Sequence, residues 1–204
     1  KSKDCVRHDY LEKKQVLSYG LKEDDHGNLV IPMKDGQGTI VGLQFIAVDG
    51  SKRFLTGSKK SGSFFLLGRE IFNSSDTLNY AEGYATAASI YADRSQPVVV
   101  AFDAYNLTPV AEVMYKYFPN HKHVFVADND DSKTGEKEAK KAAAYVKKVG
   151  GYAEIHMPES KGDYNDHKNE VAVTEGEVVL QKLDVPVEFD FVRSANGRFL
   201  NTKD

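Results

Sequence analysis

Acidic side chains recur in this sequence directly after short apolar runs that are typical of buried strands. The first such run, 77–81, ends at Glu82, and the last, 152–157, is followed by a polar turn at 162–166. The carboxylates in these positions are Glu82, Asp103, Asp128, Asp130, Asp131, Asp163 and Asp166. If the runs are parallel strands of one sheet, we expect these acids to gather at the edge where their carboxyl ends meet.

Carboxylates that crowd at one edge repel one another unless cations neutralise them. Mg²⁺ and Mn²⁺ both prefer oxygen ligands, and Mg²⁺ uses one or two carboxylates while waters and substrate phosphates complete its shell. The sequence therefore predicts a Mg²⁺ or Mn²⁺ site at this edge.

Most of these acids also have a purely structural interpretation. Asp103 is placed to cap the helix that follows it. The acids in 128–131 and 163–166 lie in a loop and a polar turn, where Asp is common. Glu82 is different, because it stands between a strand and Gly83, where a long acid has no capping role. Glu82 is the strongest candidate for a functional carboxylate.

Several motifs that suggest other chemistry fail on inspection. Residues 128–139 resemble a calcium loop, but the sixth position is Lys133 instead of Gly and the twelfth is Ala139 instead of Glu. The segment 57–62 has Walker spacing without the Lys-Ser/Thr that must follow. Cys5 is the only cysteine, which excludes an intramolecular disulfide and a zinc ribbon built from Cys pairs.

The composition describes a globular chain. Of its 204 residues, 41% are hydrophobic and 28% are charged, which excludes a collagen-like or wholly disordered protein. No apolar run is long enough to cross a bilayer, so we expect no membrane partner. The single cysteine and the lack of a charged-then-apolar leader predict a cytoplasmic protein. The first residue is Lys1 and not Met, so we expect a piece cut from a longer chain. Residues 1–70 carry 12 Lys and Arg against 9 Asp and Glu, and the remainder carries 15 against 21. A basic first part thus precedes an acidic second part.

Two patterns of predicted secondary structure divide the chain. Residues 1–70 predict an antiparallel β meander after a helix over 10–22, with Asp49-Gly50 as a hairpin signal. Its strands are expected at 29–33, 40–47, 53–55 and 63–67. Residues 71–170 instead alternate apolar runs with helical patterns, which predicts βαβ units and a parallel sheet flanked by helices. Residues 171–204 lack a clear period and are a tail or the start of a further domain.

The ordered set of acids resembles the Toprim domain of bacterial-type DNA primases. Glu82-Gly83 follows a first strand, Asp128-x-Asp130 follows a later one, and an Asp pair comes after the last. The fold class that this resemblance implies is α/β, with an N-terminal antiparallel β-rich subdomain (1–70) followed by a Toprim domain (71–170).

Other segments extend the resemblance over residues 25–168. Ile31–Asp35 and Lys52–Leu55 precede the acids in the order in which these primases join a β-rich subdomain to Toprim. Ala81–Ala87 and Val99–Ala104 look most like the primases of conjugative plasmids, phages and mobile elements.

The resemblance also implies roles for individual residues. Glu82 would be the general acid/base or a metal ligand, and Asp128 with Asp130 would bind the catalytic metals. Asp103 and Asp131 could extend the acidic edge, and Asp163 with Asp166 would complete it less directly. Basic residues implied to hold nucleotide phosphates or nucleic acid are Arg53, Lys34, Lys52, Lys59 and Lys60.

The function that the resemblance implies is a DNA primase core, a nucleotidyltransferase that makes short RNA primers by two-metal chemistry. Its partners would be a single-stranded DNA template, nucleoside triphosphates, and a helicase or relaxase in the same or another chain. Two alternatives stay open: a Toprim nuclease or topoisomerase-related domain, and a non-catalytic nucleic-acid-binding module of a larger replication or conjugation protein. Thr86, which stands where replicative primases have an acid, keeps the second of these open.

Overall fold

The computed structural model of the chain describes residues 2–69, 72, 75–167, 192–193 and 199–200. This part of the chain contains two five-stranded sheets and one two-stranded sheet. The predicted fold class is confirmed, because an antiparallel β-rich first part precedes an α/β part whose strands are mostly parallel. None of the helices described here has the length and apolar character needed to cross a membrane.

The first sheet is a meander in which each strand pairs with the next along the chain. Its strands are β1 (Ser2–Asp4), β2 (Lys22–Asp24), β3 (Leu29–Lys34), β4 (Ile40–Ile46) and β5 (Lys52–Phe54). All four pairings are antiparallel. Leu29, Ile31 and Met33 alternate along β3 and are completely buried, so one face of this sheet covers the core.

The helix before the meander is shorter than predicted. α1 spans Asp9–Lys13, and the prediction of one helix over 10–22 is wrong beyond Lys13. Gln15 and Tyr19 both have positive φ, 53° and 40°, in the left-handed region that cannot continue a right-handed helix. The chain therefore leaves α1 early and turns into β2.

The second sheet has the strand order β10-β9-β7-β8-β6. Its strands are β6 (Phe65–Leu67), β7 (Thr77–Ala81), β8 (Val98–Val100), β9 (Lys122–Val126) and β10 (Tyr152–His156). β7 to β10 run parallel, and β6 pairs antiparallel with β8 at the edge. The prediction that 63–67 belongs to the meander is therefore wrong for Phe65–Leu67, while Phe64 forms one antiparallel bridge with Lys34 at the end of β3. The domain limits at 70 and 170 stay predictions, and most of 171–204 lies outside the described residues.

The helices connect the parallel strands on either side of β7. α2 (Tyr84–Arg94) leads from β7 to β8, α3 (Leu107–Tyr117) from β8 to β9, and α4 (Thr134–Lys148) from β9 to β10. Because β8 lies on one side of β7 and β9 on the other, the strand order reverses at β7. Such a switch point opens a crevice at the carboxyl ends of the strands.

One apolar cluster joins the two sheets. Leu29 and Ile31 of β3 belong to the same buried cluster as Ala88 of α2 and Val100 of β8. A second cluster, built from α3, α4 and the opposite face of the parallel sheet, includes Leu78 and Val146. The shared first cluster fixes the meander against the edge where the acids lie.

Candidate functional site: an acidic cavity at the end of the parallel strands

A cavity of about 340 Å³ lies at the carboxyl ends of the parallel strands, facing the meander. The acids that line it come from the ends of β7, β8 and β9 and from the turn after β10, and they are Glu82, Asp103, Asp128 and Asp163. The meander and α1 supply the opposite wall, including Tyr10, Lys13, Lys14, Asp49 and Lys52. Carboxylates from four distant segments thus meet basic side chains from the first part of the chain.

Glu82 lies between β7 and α2, at the point where the strand order reverses. Gly83 is the N-cap residue of α2, and no side chain caps this helix, so Glu82 is left to face the cavity. Its Oε1 is buried and has no hydrogen-bond partner among the described residues. Burial, followed by the charges of Asp128, Asp130 and Asp103, raises the pKa of the Glu82 carboxyl to about 7, and Lys52 opposes this shift.

Asp128 has a similar environment after β9. Its Oδ1 is also buried and also lacks a hydrogen-bond partner in the described part of the chain. Burial is again the main cause that raises the pKa of the Asp128 carboxyl, here to about 6, and the charge of Asp163 adds to it. An ionised carboxylate in such a place needs a compensating cation, because a buried charge without a partner is costly.

The first turn of α4 packs directly against both acids. A Cβ atom on Gly135 would lie 2.6 Å from Glu82 Oε1 and 3.2 Å from the carbonyl oxygen of Asp128. No larger side chain fits there without displacing the carboxylate. The N-terminus of a helix carries a partial positive charge, so this close approach also favours negative charge on Glu82.

Asp130 and Asp131, in the loop after β9, differ in their contacts. Asp130 is exposed and accepts a hydrogen bond from Ser132 Oγ at 2.8 Å, and its charge raises the pKa of both Glu82 and Asp128. Asp131 is exposed as well and forms an ion pair with Lys161. Asp131 is not among the residues that line the cavity.

Asp103 has a structural role as well as a place in the cavity wall. Its Oδ1 accepts a hydrogen bond from the backbone N–H of Asn106 at 3.0 Å and so caps a 3-10 turn over Ala104–Asn106. Its Oδ2 forms an ion pair with Lys60. The residue before it, Phe102, has a φ of 72°, an uncommon conformation for a residue other than glycine, at the point where the chain turns out of β8.

Of the basic residues predicted to hold phosphates, Lys52 is the one that lines the cavity. Its Nζ lies 3.5 Å from the position that a Cβ on Gly83 would occupy. Arg53 follows on the other face of β5, where its guanidinium lies 4.4 Å from the centre of the Phe45 ring. The alternation of side chains along a strand therefore separates these two cations.

The remaining basic residues do not line the cavity, although Lys60 pairs with Asp103. Lys59 and Lys60 are exposed in the loop after β5, and Lys60 lies 5.5 Å from the centre of the Phe54 ring. Lys34 is only 5% exposed, and its backbone pairs with Phe64. Lys34 is not part of the cavity wall.

Sequence reasoning missed the residues that hold the meander against the acidic edge. Asn106 is 3% exposed, and its side chain accepts from Gly62 N at 2.8 Å and donates to the carbonyls of Ser63 and Ala101. This amide fixes the basic loop beside the end of β8. Tyr10 and Lys14 also lie outside every motif, and no sequence pattern marks any of the three.

The oxygens in the cavity fit a divalent cation bound by few protein ligands. Within the described ranges, no group of three or more His, Cys, Asp and Glu side chains converges closely enough to hold an ion. However, Glu82 and Asp128 both line the cavity and each has one buried oxygen without a hydrogen-bond partner among the described residues, and Mg²⁺ commonly binds through one or two carboxylates. These two acids, with Asp130 beside them, could hold the cation.

Comparison with known proteins assigns the second part of the chain. Residues 77–172 match the family model of the Toprim domain. These residues form a Toprim domain. The match begins at the first residue of β7 and includes Glu82, Asp128 and Asp130.

Relatives of this chain are DNA primases. The chain is 36% identical over 155 residues to the DNA primase TraC of Escherichia coli, a match that covers 71% of this chain and 14% of that protein. The resemblance predicted from the sequence is confirmed by this relative and by the Toprim match. The chain spans about a seventh of the length of this relative.

Solved primase structures share the fold. The primase fragment of the bacteriophage T7 primase-helicase protein aligns with a TM-score of 0.55 at 22% identity, covering 78% of this chain and 65% of that one. Primase domains of T7 solved with a DNA polymerase, an RNA/DNA hybrid and dTTP align with a TM-score of 0.57 at 22% identity, covering 79% and 80%. Because 78% of the chain is more than residues 77–204 contain, the alignment also includes part of residues 1–76.

Proposed function

We propose that this chain is the catalytic core of a DNA primase, which makes short RNA primers on single-stranded DNA from nucleoside triphosphates. The observation that carries the proposal is that Glu82 and Asp128, which line a cavity bordered by Lys52, each hold one buried carboxylate oxygen without a hydrogen-bond partner in the described part of the chain. The primase relative supports the same reaction class.

Joining a 3′-hydroxyl to the α-phosphate of a triphosphate needs proton removal and neutralisation of charge, without a covalent enzyme intermediate. Mg²⁺ or Mn²⁺ bound at the acids would lower the pKa of the hydroxyl and neutralise the attacking and leaving oxygens. Glu82, Asp128 and Asp130 would hold the cations, and the second carboxylate oxygen of Glu82 would be available to accept a proton.

The raised pKa of Glu82 reflects a buried carboxyl that lacks a compensating positive charge. In the chain without cations, its carboxyl titrates at about 7. A bound cation favours the ionised form of a carboxyl group, so it would keep both Glu82 and Asp128 ionised. Lys52 adds the positive charge that a triphosphate requires on the opposite wall, because phosphate contacts position a nucleotide without reading its base.

The basic loop after β5 would guide the template. Lys59 and Lys60 of this loop and Arg53 of β5 are exposed, and Arg53 and Lys60 lie beside the rings of Phe45 and Phe54. Such a combination binds single strands through phosphate contacts and base stacking. A helicase or relaxase, in the same or another chain, would supply the template.

The test is primer synthesis on single-stranded DNA with Mg²⁺ or Mn²⁺, comparing wild type with Glu82→Gln. We expect the substitution to reduce synthesis by about 10²–10⁴-fold, because it removes a general base or a cation ligand while preserving shape. Glu159→Gln, an exposed acid, is the matched control and should retain activity. Equal primer synthesis by wild type and Glu82→Gln would reject the proposal.

The same preparation separates the alternatives. Nicking of DNA without added triphosphates would favour a Toprim nuclease. Failure of wild type to bind Mn²⁺ would favour a non-catalytic nucleic-acid-binding module.

A further inference from the structure

The two acids in the turn after β10 use their oxygens differently from Glu82 and Asp128. Asp163 Oδ1 accepts a hydrogen bond from the backbone N–H of Asp166 at 2.8 Å, and Asp166 Oδ2 lies 3.5 Å from the N–H of Asp163. This reciprocal pattern is a capping box at the start of a helix that begins at residue 164. One oxygen of each carboxylate is thus committed to the backbone.

The second oxygen of each carboxylate faces Lys14. Lys14 Nζ lies 2.8 Å from Asp166 Oδ1 and 3.7 Å from Asp163 Oδ2. The side chains of Lys14 and Asp163 are only 27% and 22% exposed, so this ion pair is shielded from solvent more than a typical surface pair. The ammonium group of Lys14 therefore occupies the place that a cation would take between these two acids.

The backbone of Lys14 is held by α1 on one side and by the turn after β10 on the other. Lys14 is the C-cap residue of α1, and its N–H donates to the carbonyl of Tyr10 in that helix. Its own carbonyl accepts a hydrogen bond from Asn165 Nδ2 at 2.7 Å. Asn165 is completely buried and also donates to Ser89 Oγ of α2 at 2.8 Å. Lys14 is held on both sides, so its side chain reaches the acids from a fixed position.

These contacts divide the acidic edge into two parts. All four oxygens of Asp163 and Asp166 face a protein donor, whereas Glu82 and Asp128 each leave a buried oxygen without a partner in the described part of the chain. A divalent cation that entered between Asp163 and Asp166 would have to displace the Lys14 ammonium and leave it half-buried without its partners, which is costly. The unpartnered oxygens carry no such cost.

We propose that Lys14 is the fixed counter-cation of Asp163 and Asp166, and that divalent cations bind only at Glu82, Asp128 and Asp130. This inference rests on the proposed function, because it takes the acidic cavity as the cation site. Lys14 is a positioning residue: it orders the turn that carries Asp163 into the cavity wall, and it neutralises two carboxylates that would otherwise attract another ion.

The test is the number of Mn²⁺ ions bound per chain, measured by the electron paramagnetic resonance signal of the free ion. Lys14→Met removes the charge and keeps the length of the side chain, and we expect it to bind one Mn²⁺ more than wild type. Lys14→Arg keeps the charge and should keep the wild-type number. Lys13→Met, on the same cavity wall, is the matched control and should also keep it.

Substitutions of the acids provide the second measurement, which does not depend on how well Lys14→Met folds. Asp163→Asn and Asp166→Asn should keep the wild-type number of ions, because neither residue is a ligand. Combining Lys14→Met with Asp166→Asn should remove the extra ion.

Two results would overturn the role of Lys14: loss of an ion in Asp166→Asn, or an unchanged number of ions in a folded Lys14→Met. A wild-type chain that binds no Mn²⁺ would instead overturn the cation site of the proposed function. Wild type that binds the expected ions but makes no primers would reject the primase reaction and leave the role of Lys14 supported.

Discussion

The two five-stranded sheets of this chain connect their strands in different ways. In the meander, every strand pairs with the next strand along the sequence, so residues that are near in the chain are near in space. In the parallel sheet, β7 lies between β8 and β9, and successive strands must be joined by helices. Each crossover returns the chain to the same end of the sheet before the next strand begins.

This difference explains where the chemistry lies. The crossovers bring Glu82 and Asp128, 46 positions apart, to one crevice at the switch point. The meander supplies Lys52 from a single hairpin, and Lys13 and Lys14 come from the end of α1. The parallel sheet therefore assembles the acidic site, and the meander together with α1 forms its basic wall.

The largest expected effect comes from a substitution in the acidic site itself. Asp128→Asn should reduce Mn²⁺ affinity and primer synthesis by about 10²–10³-fold, since it removes the charge of a buried carboxylate at the strand end. Asp131→Asn, three residues later and exposed, is the control and should change either quantity by less than about twofold. Mn²⁺ titration and a primer assay measure both variants. Similar losses of affinity and synthesis in the two variants would contradict the view that the acid at the strand end binds the cation and the exposed loop acid does not.

The next prediction tests whether the two sheets unfold together. Ile31→Ala in the meander should lower the free energy of unfolding by about 2–5 kcal/mol, because Ile31 is completely buried. Ile31 belongs to the cluster that includes α2 and β8, so probes placed in either sheet should report one common transition. Ile40→Ala, at a site that is 58% exposed in the same sheet, should have little effect. Separate transitions would show that the sheets are independent units.

A third prediction concerns pH in the absence of divalent cations. The pKa of the Glu82 carboxyl is raised from 4.5 to about 7 on folding, so the folded chain holds a proton that the unfolded chain releases. The resulting stability is fully present below pH 4.5 and is lost as the pH rises through about 7. Between those limits, the free energy of unfolding should fall by about 3 kcal/mol more in wild type than in Glu82→Gln.

Chemical unfolding in the presence of a chelator, repeated over this pH range, measures that difference. Asp131→Asn should follow wild type, because its carboxylate is exposed. If the free energy of unfolding depended on pH in the same way in wild type and in Glu82→Gln, burial would not raise the pKa of Glu82.

The smallest expected effect is steric. Gly135→Ala places a methyl group 2.6 Å from Glu82 Oε1, and we expect Mn²⁺ affinity to fall by about tenfold as the carboxylate shifts. The fold should be retained, because alanine is a better helix former than glycine. Lys137→Ala, exposed on the same helix, is the control for Mn²⁺ titration. Unchanged affinity in Gly135→Ala would show that α4 does not position Glu82.

The parallel part was the more predictable of the two. The alternation of apolar runs with helical patterns indicated β7 to β10 and their helices, because buried parallel strands are apolar on both faces. In the first part, the predicted helix over 10–22 failed at Gln15, whose left-handed backbone has no marker in the sequence. The run at 63–67 was correctly predicted to be extended, but its partner was wrong, since a short strand pattern does not state which sheet it joins.

The sequence by itself determined the order of the acids and the kind of sheet that carries them, because the period of hydrophobic residues and the turn signals are local properties. Tertiary structure alone decided which of those acids keep an unpartnered oxygen. Glu82 and Asp128 do so in a buried crevice, whereas Lys14 reaches Asp166 across 152 positions of the chain. A pairing at that distance depends on how the helices and sheets pack, and no local pattern of residues encodes it.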